Sequence, residues 1–276
     1  MSGRTSALRS IVRAPGDPSQ GQTIVDDYSA IEPGMLEGSA SVIYTVGTTR
    51  GSDTELDHVN ANLAFATASA ARTAGVRRFI YVSSFSVYGE CPMIDADSPA
   101  RPASGYGRSK WRAEQRLADL ADPDFEPISV RLPSLYDLSY GKLVQLITAW
   151  TRFRIFPGPA APVQRSFMSY DNAAALILGL ATSNQSETAK ATIAAADSAP
   201  FSFHRARQVV AEAAHRRIFC PRLPVVDAVI GATAPGLHAS LFQNSLLQPE
   251  CNAASELPST LYADIAHIAR RTAGLS

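Results

Sequence analysis

Short apolar segments alternate with longer helix-like segments through the first half of this chain. Ser41–Val46, Arg78–Ser84 and Pro127–Leu132 are rich in β-branched and aromatic residues, a composition typical of strands. Between them lie His58–Ala74 and Tyr106–Leu120, which contain no proline and are predicted to be helices. Because strands that alternate with helices build βαβ units, the pattern predicts a parallel sheet with helices on both faces.

The second half of the chain predicts mostly helices. Two short strand candidates, Leu8–Arg13 and Gln22–Val25, stand at the start, but after about Pro133 the alternation of strands and helices ends. Asp171 is the expected N-cap of one later helix. The later elements are one strand at Arg165–Tyr170 and helices at Lys142–Phe153, Asp171–Thr182, Phe201–Arg216 and Pro258–Thr272. We expect a smaller, mostly helical lobe, interleaved with the last parts of the sheet.

Composition and charge exclude several classes of protein. The chain has 276 residues, of which 46% are hydrophobic and 18% charged, as in a globular protein. Lys+Arg and Asp+Glu both number 25, so there is no global electrostatic case for nucleic acid or an anionic membrane as a partner. Three widely spaced cysteines and five scattered histidines show no metal-site spacing. With no secretory signal and no apolar run long enough to cross a bilayer, we expect a reduced, cytoplasmic protein without a metal.

The segment from Tyr81 to Lys110 carries the candidate catalytic residues. Tyr106 and Lys110 are four residues apart on a predicted helix, so their side chains share one face. An ammonium beside a phenol lowers the pKa of the tyrosine from its usual ~10, so Tyr106 is a candidate general acid or base. Ser84 ends a predicted strand, and active-site crevices of open α/β sheets lie beyond the carboxyl ends of strands. Its hydroxyl is expected to hold the substrate oxygen at which Tyr106 moves the proton.

Three motifs follow one another in this part of the chain: VSSFSVYGE, then SGYGRSKWRAE, then VRLPSLYD. In this order, and in this setting of strands and helices, they resemble the extended short-chain dehydrogenase/reductase family, the group of NAD-dependent epimerases and dehydratases that act on nucleotide sugars. The resemblance implies catalytic roles for Ser84, Tyr106 and Lys110, a substrate-binding role for Tyr88, and NAD or NADP as the cofactor. Ser84 is preferred to Ser83 because it lies four residues before Tyr88.

Further matches extend the resemblance over most of the chain. VIYTVG resembles a family strand whose end, here Val46 and Gly47, lies beside the cofactor, and Asn60 falls on the asparagine that supports the active site. RSFMSYDN resembles a motif whose arginine, here Arg165, grips the nucleotide diphosphate, a task that suits a planar guanidinium; a solvated surface arginine is the alternative. Pro133 falls where the family strand meets the nicotinamide, or it simply ends that strand.

The glycine-rich turn with which the family begins is not found in the sequence. That turn binds the cofactor pyrophosphate at a helix N-terminus, whereas the first strand candidate of this chain resembles the second strand of the family. We therefore expect residues 1–135 to be a truncated NAD(P)-binding Rossmann domain without its first strand and helix, and residues 136–276 to be a substrate-binding lobe interleaved with the end of the Rossmann sheet. Removing a central strand leaves two unpaired edges, so either the edges close up or the sequence is a truncated form, which we favour.

The choice of cofactor stays open at the sequence level. Arg13 ends the second-strand counterpart, where it would favour NADP by pairing with a 2′-phosphate, or it is an exposed arginine. Asp26 or Asp27 resembles the aspartate of the family that contacts adenine, although a turn-forming role explains either residue equally well.

Three functions are compatible with the sequence. The first is an NAD(P)-dependent epimerase or dehydratase of a nucleotide sugar; Phe85 after Ser84 counts against the dehydratase, which usually has an acidic residue at that position. The second is an NADP-dependent carbonyl reductase of the same family, and the third is a non-catalytic member that binds a partner. The resemblance also implies a homodimer with a small-molecule substrate.

Overall fold

The computed structural model of the chain describes residues 8–13, 22–139, 141–155, 163–183, 191–219 and 244–275. One of the three cysteines, Cys220, and most of the proline-rich segment 157–164 lie outside these residues. The strands are β1 Ser10–Arg13, β2 Gln22–Val25, β3 Ser41–Tyr44, β4 Arg78–Ser84, β5 Met93–Ile94, β6 Glu126–Leu132, β7 Ser134–Tyr136, β8 Gln164–Arg165, β9 Phe167–Ser169, β10 Thr192–Ala194, β11 Phe201–Ser202 and β12 Leu246–Leu247. The α-helices are α1 Pro33–Leu36, α2 Asp53–Asp57, α3 Leu63–Thr73, α4 Gly105–Ala118, α5 Lys142–Phe153, α6 Tyr170–Thr182, α7 Phe203–Ala213 and α8 Leu261–Ala273.

The main sheet is parallel and has four strands in the order β10-β6-β4-β3. Strand β4 lies in its middle, and its side chains alternate between two separate hydrophobic cores. Phe79 and Tyr81 pack with the small residues of α3 and with α4, whereas Ile80 packs with Ile177 of α6 on the other face. The predicted parallel sheet with helices on both faces, a Rossmann-like fold, is thereby confirmed.

The first long helical stretch begins earlier than the sequence pattern predicts. Ser52 caps α2: its hydroxyl accepts from the Glu55 amide at 3.3 Å, and the Glu55 carboxylate accepts from the Ser52 amide at 2.7 Å. This capping box starts the helix at Asp53 rather than at His58. A single π-helical turn, His58–Asn62, then joins α2 to α3 and widens the backbone there.

Strands β1 and β2 form a parallel pair of their own, with Ser10 opposite Gln22 and Arg13 opposite Val25. Among the described residues, no backbone hydrogen-bond ladder joins this pair to β3. The two strand edges that the sequence predicts to be unpaired, those of β1 and β3, therefore do not pair with each other. The pair is nevertheless attached to the main body, because Ile11 packs against the hydrophobic core that surrounds α3. The absence of a family strand between β1 and β3 stays a prediction from the sequence.

The second half of the chain builds a helical lobe. Helices α5, α7 and α8 enclose a core around Ile147, Leu261 and Ile265, and β10 returns to the edge of the main sheet beside β6. Two predicted details are wrong. Ser169, rather than Asp171, is the N-cap of α6, because its hydroxyl accepts from the amide of residue 172. Helix α7 begins only at Phe203, since the two residues before it pair with β8 as strand β11. None of the helices in the described ranges is long and apolar enough to cross a membrane.

Candidate active site

Helix α4 brings the candidate tyrosine and lysine to the carboxyl end of β4. Ser104 caps the helix by accepting from the Gly107 amide at 3.0 Å. A Cβ on Gly107 would collide with the carbonyl oxygen of Ser86, so this glycine allows the helix to begin directly against the turn that follows β4. As a result Tyr106 and Ser84 are neighbours, and the Ser84 hydroxyl acts on the Tyr106 side chain as a hydrogen-bond partner.

The ammonium group of Lys110 is buried and has defined interaction partners. Only 4% of the residue is exposed, and its Nζ donates to the carbonyl oxygen of Val82 at 3.0 Å. The ammonium also lies 4.6 Å from the centroid of the Tyr81 ring and 5.9 Å from that of Tyr106. Burial lowers the pKa of Lys110 to about 8, against the opposing effect of Glu114.

The pKa of Tyr106 moves in the direction opposite to the one predicted. Burial raises it, and the interaction with Ser84 lowers it only in part. The predicted lowering by the lysine ammonium fails because Lys110 is directed to the Val82 carbonyl and the Tyr81 ring. Tyr106 is therefore a protonated phenol at neutral pH in the chain alone, ready to donate a proton.

The two serines at the end of β4 have separate partners. The Ser84 hydroxyl accepts from the Ser86 amide at 3.1 Å and lies 3.2 Å from the Ser86 hydroxyl, on the side of Tyr106. Ser83 is buried and donates to a carboxylate oxygen of Glu114. This arrangement supports Ser84, rather than Ser83, as the residue available to a substrate.

Asn60 and Gly47 form the wall above Lys110. Asn60 is fully buried in the π-helical turn, where its side chain bonds both backbone groups of Thr48 and the hydroxyl of Ser109. Gly47 follows β3 and is exposed; a Cβ there would lie 3.1 Å from Asn60 Oδ1 and 3.2 Å from Lys110 Nζ. A side chain at residue 47 would therefore crowd both the amide oxygen and the ammonium. Val46, half-buried, packs beneath this loop on the core that surrounds α3.

The candidates for the far end of the cofactor lie at the carboxyl ends of the small sheet. Arg13 ends β1 and is exposed, and Asp26 is exposed directly after β2. Asp27 caps a short 3-10 turn by accepting from the Ser29 amide at 2.7 Å, which lowers the pKa of Asp27; the charges of His58 and Arg13 contribute less. For Asp27 the structure therefore shows the turn-forming role.

Tyr88 and its surroundings contain contacts that the sequence did not suggest. Tyr88 is only 7% exposed, and the guanidinium of Arg131 lies 4.6 Å above its ring. Arg131 in turn forms an ion pair of 2.6 Å with Glu114, a residue that sequence reasoning missed. The spacing in the sequence could have indicated Glu114, because Tyr106, Lys110 and Glu114 follow one another at intervals of four residues and so share one helix face.

The remaining candidates lie where the sheet meets the lobe. Pro133 is half-buried between β6 and β7. Arg165 ends β8, where its backbone pairs with Phe201 of β11, and burial lowers its pKa. A cleft of about 320 Å³ opens elsewhere, lined by Arg78 with parts of α6 and of the 253–257 segment. Within the described ranges there is no group of three or more His, Cys, Asp and Glu side chains placed to hold a metal ion.

Comparisons with known proteins show what the chain is similar to. The profile of the "NAD dependent epimerase/dehydratase family" matches residues 29–150. A uronate dehydrogenase of Pseudomonas putida is 31% identical over 182 residues, which are 58% of this chain and 67% of that protein. An uncharacterized protein of Sinorhizobium fredii, y4nL, is 27% identical over 262 residues, 91% of this chain and 72% of its own length.

Solved structures share the fold at lower identity. MoeE5 in complex with UDP-glucose and NAD superposes with a TM-score of 0.69 at 17% identity, over 96% of this chain and 91% of MoeE5. The UDP-N-acetylglucosamine 4-epimerase of Methanobrevibacter ruminantium gives 0.71 at 14% identity, over 94% of this chain and 89% of the epimerase. These structures share the fold, and the family profile together with the relative of 31% identity shows that the chain belongs to the NAD-dependent epimerase/dehydratase family.

Proposed function

We propose that this chain binds NAD or NADP and oxidises a hydroxyl group of a nucleotide sugar, as the first half of an epimerisation. The observation that carries the proposal is the juxtaposition of Ser84 and Tyr106 with the buried ammonium of Lys110, beneath the exposed backbone of Gly47. Proton transfer and hydroxyl binding need these groups in one place, and their position beyond the end of β4 is where open α/β sheets bind ligands.

The residues present fit one half of such a cofactor. Lys110 Nζ has three N–H donors, of which the Val82 carbonyl takes one, and Gly47 leaves space beside the others. These groups would hold the ribose and nicotinamide, and Arg13 and Asp26, at the carboxyl ends of β1 and β2, are the candidates for the adenosine end. Between residues 22 and 139 no glycine-rich turn joins a strand to a helix, so the described chain has no such cradle for the pyrophosphate. When bound, the nicotinamide supplies the acceptor for a hydride from the sugar carbon.

The residues of the chain supply the proton chemistry. Ser84 binds the oxygen of the reacting hydroxyl, and Tyr106 as phenolate removes its proton during oxidation. In the reverse step the Tyr106 phenol donates the proton back to the carbonyl oxygen, and its raised pKa favours this step at neutral pH. Lys110 contributes a positive charge close to the site while its pKa of about 8 keeps it protonated. Arg165 is the candidate for the diphosphate of the substrate, because a guanidinium matches phosphate oxygens.

Calorimetric titration with NADH and with NADPH, followed by incubation with UDP-sugars and chromatography of the products, tests the proposal. We expect binding of one dinucleotide at micromolar strength, about −8 kcal/mol, and conversion of at least one UDP-sugar. Tyr106→Phe should retain the binding and lose the conversion by about 10²- to 10⁴-fold. A chain that binds neither dinucleotide and converts no sugar would overturn the proposal and leave the non-catalytic alternative.

A second candidate is a dehydrogenase or carbonyl reductase of the same family. The match to a uronate dehydrogenase favours it, because that relative shares 31% of the aligned residues. The two candidate reactions differ in whether NAD is reduced overall. A dehydrogenase accumulates free NADH in proportion to product when given a uronate, whereas an epimerase returns the hydride and shows no net reduction of NAD. Absorbance at 340 nm with free uronates and with UDP-sugars therefore separates them.

A further inference from the structure

Glu114 is a buried carboxylate with two partners from different strands. Only 6% of the residue is exposed. Ser83 of β4 donates to Oε1, and Arg131 of β6 donates from Nη2 to Oε2 at 2.6 Å and from Nε to both oxygens at 3.1 Å. Ser83 and Arg131 face each other in the β4–β6 register, so one carboxylate bridges the ends of two strands.

The three elements joined at Glu114 are the elements that build the candidate site. Helix α4 carries Lys110 and Tyr106 on the face of Glu114, about one and two turns earlier, respectively. Ser83 directly precedes Ser84, and Arg131 covers the ring of Tyr88. A shift of α4 along the sheet would therefore break these bonds and would separate the tyrosine from the serine at the same time.

Stability alone is a weak reason for such a network. Burying two charges costs several kcal/mol each, and replacing a buried ion pair by apolar residues of similar size is often neutral or stabilising. The site would also be the wrong place for a purely structural pair, because a charged carboxylate affects every titrating group nearby.

We propose that Glu114 is a positioning residue that fixes α4 against β4 and β6 and whose negative charge keeps Lys110 an ammonium. The proposal rests on the function proposed above, since it concerns the same site. It predicts that Glu114 contributes to the chemistry without touching the substrate, through the placement of Tyr106 and the charge of Lys110.

The groups that face Lys110 come from every element around it. From α4 there are Tyr106 and Glu114; from β4, the Tyr81 ring and the Val82 carbonyl. From the π-helical turn and the loop after β3 come two neutral residues, Asn60 and Gly47. Glu114 is the one carboxylate among the described groups that acts on the lysine, and it raises the pKa of Lys110 against burial. Removing its charge should therefore lower that pKa further.

A matched control exists at the other end of the same two strands. Arg78 and Glu126 are opposite each other in the β4–β6 register and form a 2.7 Å ion pair, with Arg78 similarly buried. Glu126→Gln removes a carboxylate from the same pair of strands without touching the candidate site. It should cost stability and leave Lys110 unchanged.

Lysine NMR makes the test direct, because the chain contains only three lysines, Lys110, Lys142 and Lys190. In the full chain labelled with 13Cε-lysine, Lys110→Arg assigns the signal, which should titrate with a midpoint of about 8. Glu114→Gln should move that midpoint to lower pH, and Glu126→Gln should not. A midpoint that is the same in Glu114→Gln and in the wild type would overturn the proposal.

A double variant keeps the test valid if Glu114→Gln does not fold. Glu114→Met with Arg131→Met replaces the whole pair by apolar residues, which should restore stability in urea while the Lys110 midpoint stays low. In active protein, Glu114→Gln should also lower kcat by about tenfold or more with little change in KM, because misplacement affects the chemical step. Inactive wild-type protein would contradict the proposed function only, since the NMR titration needs no substrate. An unmoved kcat in active protein would contradict the positioning role.

Discussion

An arginine–glutamate ion pair lies at each end of the paired strands β4 and β6, and the two ion pairs have different surroundings. At the amino ends, Arg78 pairs with Glu126 and also donates to the carbonyl oxygens of Leu180 and Ser183, at the carboxyl end of α6. At the carboxyl ends, Arg131 pairs with Glu114 of α4, four residues after Lys110.

The difference shows how location decides what the same chemistry does. Arg78 donates hydrogen bonds to carbonyl groups at the end of a helix, where backbone acceptors lack partners within the helix. The Arg78–Glu126 pair therefore attaches α6 to the sheet and has a structural role. The Arg131–Glu114 pair lies at the carboxyl ends of the strands, where open α/β sheets bind their ligands. Its carboxylate also raises the pKa of Lys110, a candidate catalytic residue. We therefore expect variants at the amino ends to change stability and variants at the carboxyl ends to change activity as well.

The largest effect should come from Tyr106 itself. Tyr106→Phe removes the proton donor and keeps the ring, so turnover should fall by about 10²- to 10⁴-fold with the melting temperature almost unchanged. Glu126→Gln is the control: it should keep most of the activity and have a lower melting temperature than the wild type. Steady-state turnover and circular dichroism measure both, and a Tyr106→Phe protein that turns over normally would exclude Tyr106 as the proton-transfer group.

The next effect concerns the two carboxylates. Glu114→Ala leaves Arg131 buried beside an empty space and should cost on the order of 3 kcal/mol of unfolding free energy. Glu126→Ala should cost less, because the Glu126 side chain is 24% exposed and Arg78 retains its carbonyl partners. Urea unfolding gives both values; equal losses would mean that the two ends of the strands are energetically alike.

A pH effect of similar size should follow from Lys110. Its pKa is about 8 in the folded chain and ~10.4 when unfolded, so between these values the unfolded state binds more protons and stability rises with pH. Relative to Lys110→Met, the wild type should gain about 2.5 kcal/mol between pH 7 and pH 10. Unfolding in urea across this range measures the difference, in which the tyrosines common to both proteins largely cancel. A difference that does not depend on pH would contradict the burial of the ammonium.

The smallest effect lies at the far end of the helix that Arg78 holds. Ser169→Ala removes the N-cap of α6 and should cost about 1 kcal/mol. Asp171→Ala, in the first turn of the same helix, should cost less, because it loses only an interaction with the helix dipole. Neither change should affect turnover, and the reverse order of the two losses would restore Asp171 as the cap.

Local pattern and motif order were enough to predict the parallel sheet and to select three residues that lie together in space. Strand β4 and helix α5 have the predicted bounds, and Ser84, Tyr106 and Lys110 lie together. The motifs bring these residues together because each one places a candidate side chain at a strand end or on a helix face, and both positions follow from the local sequence.

Tertiary contacts explain what the sequence could not predict. The Glu114 network joins residues 83, 114 and 131, whose proximity depends on the packing of α4 over two strands. The direction of the Tyr106 pKa depends on burial, which spacing along a helix does not reveal. The separate pairing of β1 with β2 likewise depends on which edges meet in space.

The pH dependence of sugar oxidation tests the central claim most directly. Oxidation needs Tyr106 as phenolate and Lys110 as ammonium, with a tyrosine pKa above its usual value of ~10 and a lysine pKa of about 8. The logarithm of the oxidation rate should therefore rise by about one per pH unit up to pH 8 and stay flat from there towards pH 10. Stopped-flow absorbance at 340 nm with NAD and the accepted sugar measures this rate. A profile that is flat from pH 6 to pH 10, and equally so in Tyr106→Phe, would contradict the account.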